Sequence, residues 1–236
     1  MNHLMTYSPS LSPDLVIPHS GEMRTVIDWN HWRKRRAFLL AQDSEIPHYL
    51  VLPEVHLVLE RAKDLETHFL TNTLWHTGAR ISEALALTKE SFHLDGVRNS
   101  MVALATAKQR ERGRPSSKAK AKAKPKRYVP VVNPAYLDEV ERYLATRKPN
   151  KEEPVFTMSR QAFDNRLKAI QDELQLPVAS LSAHTFRHSF AVSALFQGRT
   201  LKTVQDWLGH RNIADTEIYA RVLSGETHHL MYGMIF

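Results

Sequence analysis

Two stretches carry the strand signals of this chain, MVALATA (101–107) and RYVPVV (127–132), and they bracket its most basic segment. Runs rich in β-branched residues on either side of a polar stretch read as a hairpin. Residues 108–127 then form its long tip. Most of the remainder is punctuated as helix. Asp28 caps a helix over 28–42, with Trp29, Trp32, Leu39 and Leu40 near one stripe and Arg33, Lys34, Arg35 and Arg36 mostly outside it. Pro47 ends it, and Pro53 suits the first turn of the next. Phe69, Leu70, Leu74 and Trp75 furnish another helix that stops at Gly78, and SEALAL starts one more. Helices follow over 134–147 and 160–174, with a short PVF strand between them. Beyond Pro177 come 184–197, 201–208 and 213–222, separated by Gly198 and Gly209. The expected class is mostly α with a small antiparallel β-sheet (α+β).

The net charge of +7 is unevenly placed. Residues 108–127 hold ten Lys or Arg against the single acid Glu111, which leaves the rest of the chain slightly acidic. A localised basic patch is the electrostatic footprint of a nucleic-acid binder, DNA or RNA. A solvated loop with no partner has the same composition. There is no Cys, so disulfides and thiolate metal sites are excluded. No apolar run approaches the roughly 18 residues of a membrane span, and the N-terminus has no apolar export core. The chain reads as soluble, not exported, with no membrane partner. Residues 1–20, with Pro9, Pro13 and Pro18, read as a flexible arm.

HTFRH (184–188) places two histidines one helical turn apart. That spacing serves zinc in H-E-x-x-H sites. Here Thr185 stands where the Glu would be, and Arg187 sets a permanent cation beside His188. Phe186 and Phe190 suit a buried face. His184 and Arg187 project together and suit a phosphate, the guanidinium giving planar paired donors and the imidazole able to move a proton. On these residues alone a packed or solvent-facing His pair, a phosphate site and a metal site all stay open.

Other stretches narrow the choice. Arg80 in TGARISEAL, then HTFRH, then LGH with His210, then Tyr219 nine residues on, resembles the tyrosine recombinase (phage integrase) family. The likeness runs from about residue 50 to 222, and four weak motifs in the right order and spacing make it specific. More narrowly, the chain resembles the resolvases with which F-type plasmids reduce multimers. The resemblance implies a tyrosine recombinase catalytic-domain fold and a metal- and ATP-independent DNA strand transferase with no cofactor. Tyr219 is then the nucleophile, forming a 3′-phosphotyrosine and freeing a 5′-hydroxyl. His184 accepts or relays its proton. Arg80 and Arg187 clamp the non-bridging oxygens, and His210 adds a further hydrogen bond there. Glu83 matches the acidic position that orients these neighbours.

Two departures from the family pattern stand out. The general acid is a Lys on a hairpin with a short turn, whereas here TAK (106–108) and KRYVPV (126–131) lie far apart. Lys108 matches best. Lys118, Lys120, Lys122, Lys124 and Lys126 are rivals and, with Arg127, are read as a DNA-binding finger. Arg33, Lys34, Arg35 and Arg36 are assigned to DNA as well. Contacts of this kind add affinity but read no sequence. Secondly, only about 48 residues precede the catalytic match, against the full core-binding domain that relatives carry. The expected division is an arm and short helix over 1–48 and a catalytic domain over 49–236, with the basic insertion at 108–127 and a tail at 223–236. That tail packs into a neighbouring protomer or covers its own domain.

The implied partners are a double-stranded DNA recombination site, a homotetramer on paired sites through a Holliday junction, and accessory DNA-binding proteins, in the bacterial cytoplasm. Resolution of plasmid multimers or cointegrates leads. A fimbrial-type inverter, a phage or transposon integrase, a catalytically silent DNA-binding accessory protein and a type IB topoisomerase are the alternatives.

Overall fold

The computed structural model describes residues 28–105 and 125–223. Lys108, Lys118, Lys120, Lys122 and Lys124, the N-terminal arm and the C-terminal tail lie outside them.

Local chemistry explains most element starts. The Asp28 carboxylate accepts from the backbone N–H of Asn30 and His31 and opens α1 (Trp29–Gln42). Pro53 sits in the first turn of α2 (Leu52–Arg61), where a missing N–H costs nothing. Asp64 caps α3 (Leu65–Thr77), which ends at left-handed Gly78. Asn133, Ser159 and Thr200 cap α6 (Pro134–Arg147), α7 (Arg160–Leu174) and α9 (Leu201–Leu208) through their side chains. The remaining helices are α4 (Ile81–Ala84), α5 (Gly96–Asn99), α8 (Ala183–Phe196) and α10 (Ala214–Leu223).

The sheet is antiparallel in the order β1 (Phe92–His93), β2 (Met101–Ala105) and β3 (Lys126–Pro130). Pairing runs from Met101 opposite Pro130 to Ala105 opposite Lys126, so the basic segment joins the two strands as expected. Three local expectations change. The SEALAL helix lasts four residues before the chain turns away to bury Leu87. The PVF stretch is not a strand, since Pro154 makes only an isolated bridge to Thr88. The two-residue β1 was not foreseen, being too short to show alternation. Among the described residues no helix is long and apolar enough to cross a membrane.

Two apolar clusters form the interior. The larger joins Val55, Val58, Phe69, Leu70, Leu74, Val102, Leu104, Val129, Val140, Phe163 and Leu167. The smaller joins Trp32, Tyr49, Ala191, Leu195, Val204, Leu208, Tyr219 and Val222. Helix α8 serves both, giving Phe186 to the first and Ala191 onward to the second. HTFRH therefore lies on the seam. The described part of the N-terminal segment is built into the second cluster, where the Trp32 and Phe196 rings meet edge-on at 4.5 Å.

Candidate active site

Arg80 follows the Gly78 turn as the N-cap residue of α4. Its guanidinium stays partly open to solvent while Nη1 donates to Glu83 Oε1 at 3.0 Å. Glu83 is only 3% exposed and receives four donors. Two come from Arg80, its backbone N–H at 2.9 Å and that Nη1. Arg127 supplies the others, Nη1 at 2.9 Å and Nη2 at 2.6 Å. Burial alone would raise the Glu83 carboxyl, but the hydrogen bonds and charge of Arg127 and then Arg80 hold it below the usual carboxylate range. Arg127 also donates from Nε to the Trp207 carbonyl at 2.7 Å. It thus spans from the strand flanking the basic segment to the end of α9.

Arg187 is 4% exposed. Its Nη1 donates to the Gly78 carbonyl at 2.6 Å and its Nη2 to the Leu208 carbonyl at 2.8 Å. Both acceptors lie at helix C-terminal turns, where carbonyl dipoles favour a cation. Burial, then Arg80, pulls its pKa down to about 10, so it stays charged at neutral pH. The left-handed Gly78 and Gly209 make those turns possible, φ being 59° and 66°.

Tyr219 arrives from α10 and is 2% exposed. Burial raises its pKa, while Arg187 and then Arg80 oppose the shift. Both guanidiniums of the expected set therefore act on this phenol. His210, just past Gly209, has Nδ1 2.8 Å from Thr216 Oγ1, and its ring lies nearly parallel to that of Tyr219 with centroids 6.4 Å apart. Burial and the charges of Arg187 and Arg80 lower its pKa to about 4. His184 is exposed at the rim. Partial burial and then Arg187 lower its pKa as well.

Arg80, Arg187, His210 and Tyr219 thus meet at one seam, with His184 at its edge and Glu83 beneath Arg80. A cationic floor with a buried phenol and neutral imidazoles suits a phosphodiester in the act of gaining charge. Among the described residues no group of three or more His, Asp or Glu has metal-binding geometry.

The site also holds residues that were not expected in it. His188 is the direct partner of Tyr219, its Nδ1 2.9 Å from the hydroxyl. The i, i+4 spacing from His184 was the available signal. Thr216 and Gln205 brace the His210 loop, Gln205 Nε2 donating to the His210 carbonyl at 3.2 Å. Two cations assigned to DNA are committed elsewhere. Arg127 is locked to Glu83. Arg36 is buried, giving Nη1 and Nη2 to Glu54 at 2.5 and 2.8 Å and Nη1 to the Tyr49 carbonyl at 2.8 Å. Both guanidiniums hold acceptors within the protein. Arg33 leans toward the same Glu54 at 3.4 Å, whereas Lys34 and Lys126 are exposed.

Comparison with known proteins bears on the family and the fold. The profile of the Phage integrase family matches residues 52–226. A probable site-specific recombinase in the afa region of Escherichia coli is 35% identical over 183 residues, covering 75% of this chain and 72% of that protein. An Escherichia coli resolvase is 33% identical over 211 residues, covering 81% of each. Among solved structures, XerA recombinase superposes with a TM-score of 0.61 at 19% identity, over 79% of this chain and 64% of that one.

Proposed function

The chain belongs to the phage integrase family of site-specific recombinases, and from that premise we propose that it cuts and rejoins duplex DNA through Tyr219. The observation that carries this reading is the buried Tyr219 phenol under the influence of both Arg187 and Arg80. In the proposed step the phenolic oxygen bonds to phosphorus and the bond from phosphorus to the 5′-oxygen breaks. Arg80 and Arg187 hold the non-bridging oxygens, and His210 donates to them. His184, at the rim, relays the phenolic proton onward. The leaving oxygen takes a proton from Lys108. The phosphotyrosine ester conserves bond energy, so religation needs no nucleotide.

Four protomers act on two paired sites, one pair at a time, through a four-way junction in the bacterial cytoplasm. Resolution of plasmid multimers or cointegrates is the favoured outcome, because a relative of matching length is named a resolvase.

The test uses a duplex selected for binding from a random-sequence pool. Wild-type protein should form a detergent-resistant adduct on it. Tyr219→Phe should bind equally well and form none. An adduct with that variant would move the nucleophile elsewhere. A supercoiled plasmid carrying two direct copies of the cleaved site should yield two circles; no circles from it, together with inversion of a plasmid carrying inverted copies, would exclude resolution.

A further inference from the structure

The sequence motif that places a histidine near the nucleophile names His184, yet the side chain that touches the Tyr219 hydroxyl is His188. Its Nδ1 lies 2.9 Å from that oxygen, with the ring centroids 5.7 Å apart. His184 sits one turn earlier on α8, exposed, its ring centroid 6.4 Å from that of His188. On the reading of Tyr219 as nucleophile, we propose that His188 is a further catalytic residue, the base that takes the phenolic proton directly as the tyrosine attacks.

The chemistry closes. As the phenolic oxygen bonds to phosphorus its proton becomes acidic, and it must leave within the same step. It moves to Nδ1 of His188, which becomes an imidazolium carrying Nε2–H and Nδ1–H. In religation the 5′-hydroxyl attacks phosphorus and the same proton returns to the departing tyrosine. A base already at hydrogen-bond distance needs no rearrangement to do this.

The surroundings keep His188 in the form the role demands. Burial comes first, then the charges of His184 and Arg187 on its own helix, of His210 beyond α9, and of His48 ahead of α2; together they bring its pKa down to about 4. Its neighbour on α10 is Tyr219 itself. At neutral pH the imidazole is therefore uncharged. With Nε2 carrying the hydrogen, the tyrosine donates and Nδ1 accepts. A bound phosphodiester sets a negative charge among these cations and raises the basicity of the ring at the moment it is used.

The sequence-independent measurement is made first. Nitrogen-15 spectra of histidine-labelled wild-type protein should show an unprotonated Nδ1 on His188, and Tyr219→Phe should shift that resonance. A protonated Nδ1, or no shift, overturns the proposal even if every His188 variant misfolds. The second experiment follows single-turnover adduct formation on the selected duplex with a 5′-bridging phosphorothiolate, whose thiolate leaves without an acid. His188→Asn should bind DNA as wild type but cleave on the order of 100-fold slower or worse, and lose the fall in rate that wild type shows as pH drops toward the depressed pKa of this ring. Added imidazole should partly restore His188→Ala. If His188→Asn cleaves at the wild-type rate with the same acid limb while Tyr219→Phe is inactive, His188 is not the base and the nucleophile assignment stands. If Tyr219→Phe itself forms an adduct, both fall.

Discussion

Arg127 and Glu83 form a two-pronged ion pair, Nη1 to Oε1 at 2.9 Å and Nη2 to Oε2 at 2.6 Å, between the strand that flanks the basic segment and the helix headed by Arg80. Both side chains are nearly sealed from solvent, 9% and 1% exposed. Breaking such a pair strands the other charge. Glu83→Ala should therefore cost about 3–5 kcal/mol in urea unfolding. Arg127→Lys should lose both the fork and the Trp207 contact, lowering cleavage more than DNA binding. The Glu83 carboxyl is held low in the folded protein, so its stabilising contribution is complete above its ordinary value of 4.5 and is lost as pH falls below it.

A methyl group at Gly209 would press on the Arg127 side chain. The glycine φ is 66°, and an added Cβ would fall 3.0 Å from Arg127 Cδ. The left-handed backbone alone costs a non-glycine residue roughly 1–2 kcal/mol. Gly209→Ala should lower the melting temperature and displace Arg127. Gly78→Ala should be worse, because its Cβ would lie 2.5 Å from Phe190 Cδ1 with Leu208 also close. Equal melting curves for the two variants would contradict this ranking.

Within the basic run of α1, Arg36 and Lys34 should separate cleanly. Arg36→Ala leaves the buried Glu54 with only the looser Arg33 contact at 3.4 Å, which predicts a loss of up to about 3–5 kcal/mol in stability. Lys34 is exposed, so Lys34→Ala should leave stability within about 0.5 kcal/mol. Its effect belongs in the slope of log affinity against log salt, which should shrink by about 1 if it neutralises a phosphate. Denaturant curves and salt titrations on both variants check the pair.

His76, His188 and His210 all have pKa values near 4, burial being the leading cause at each. The unfolded chain takes up these protons near pH 6.5 and the folded one does not. Stability should therefore decline as pH falls from about 6.5 toward 4, with a slope approaching about 1.4 kcal/mol per pH unit for each fully shielded ring. His210 is less enclosed and should contribute less. His76→Asn should flatten the decline measured by urea unfolding across that range without touching the site.

The parts of the fold that could be read in advance are those whose cause is local. Asn133, Ser159 and Thr200 each cap the helix that follows, and α6, α7 and α9 begin and end where the pattern put them. The antiparallel pairing of the two β-rich runs was legible too, though not its register. What escaped reading depends on packing between distant segments. Nothing in RKRR distinguishes Arg36, turned inward to Glu54 eighteen residues away, from exposed Lys34. Arg127 looked like one more finger cation because the 44-residue reach to Glu83 leaves no periodic trace. His188 was passed over for a similar reason. Its spacing aligned it with His184, but the hydroxyl beside it comes from a helix 31 residues downstream.

Arg187 meets any incoming anion already immobilised. The carbonyls of Gly78 and Leu208 fix its two terminal nitrogens. The rotamer entropy of so long a side chain, about 1.5–2 kcal/mol, is surrendered when the polypeptide folds and not when the nucleic acid docks. On the proposed reading every later turnover inherits that alignment, so the precision of this guanidinium is settled once in the lifetime of the molecule.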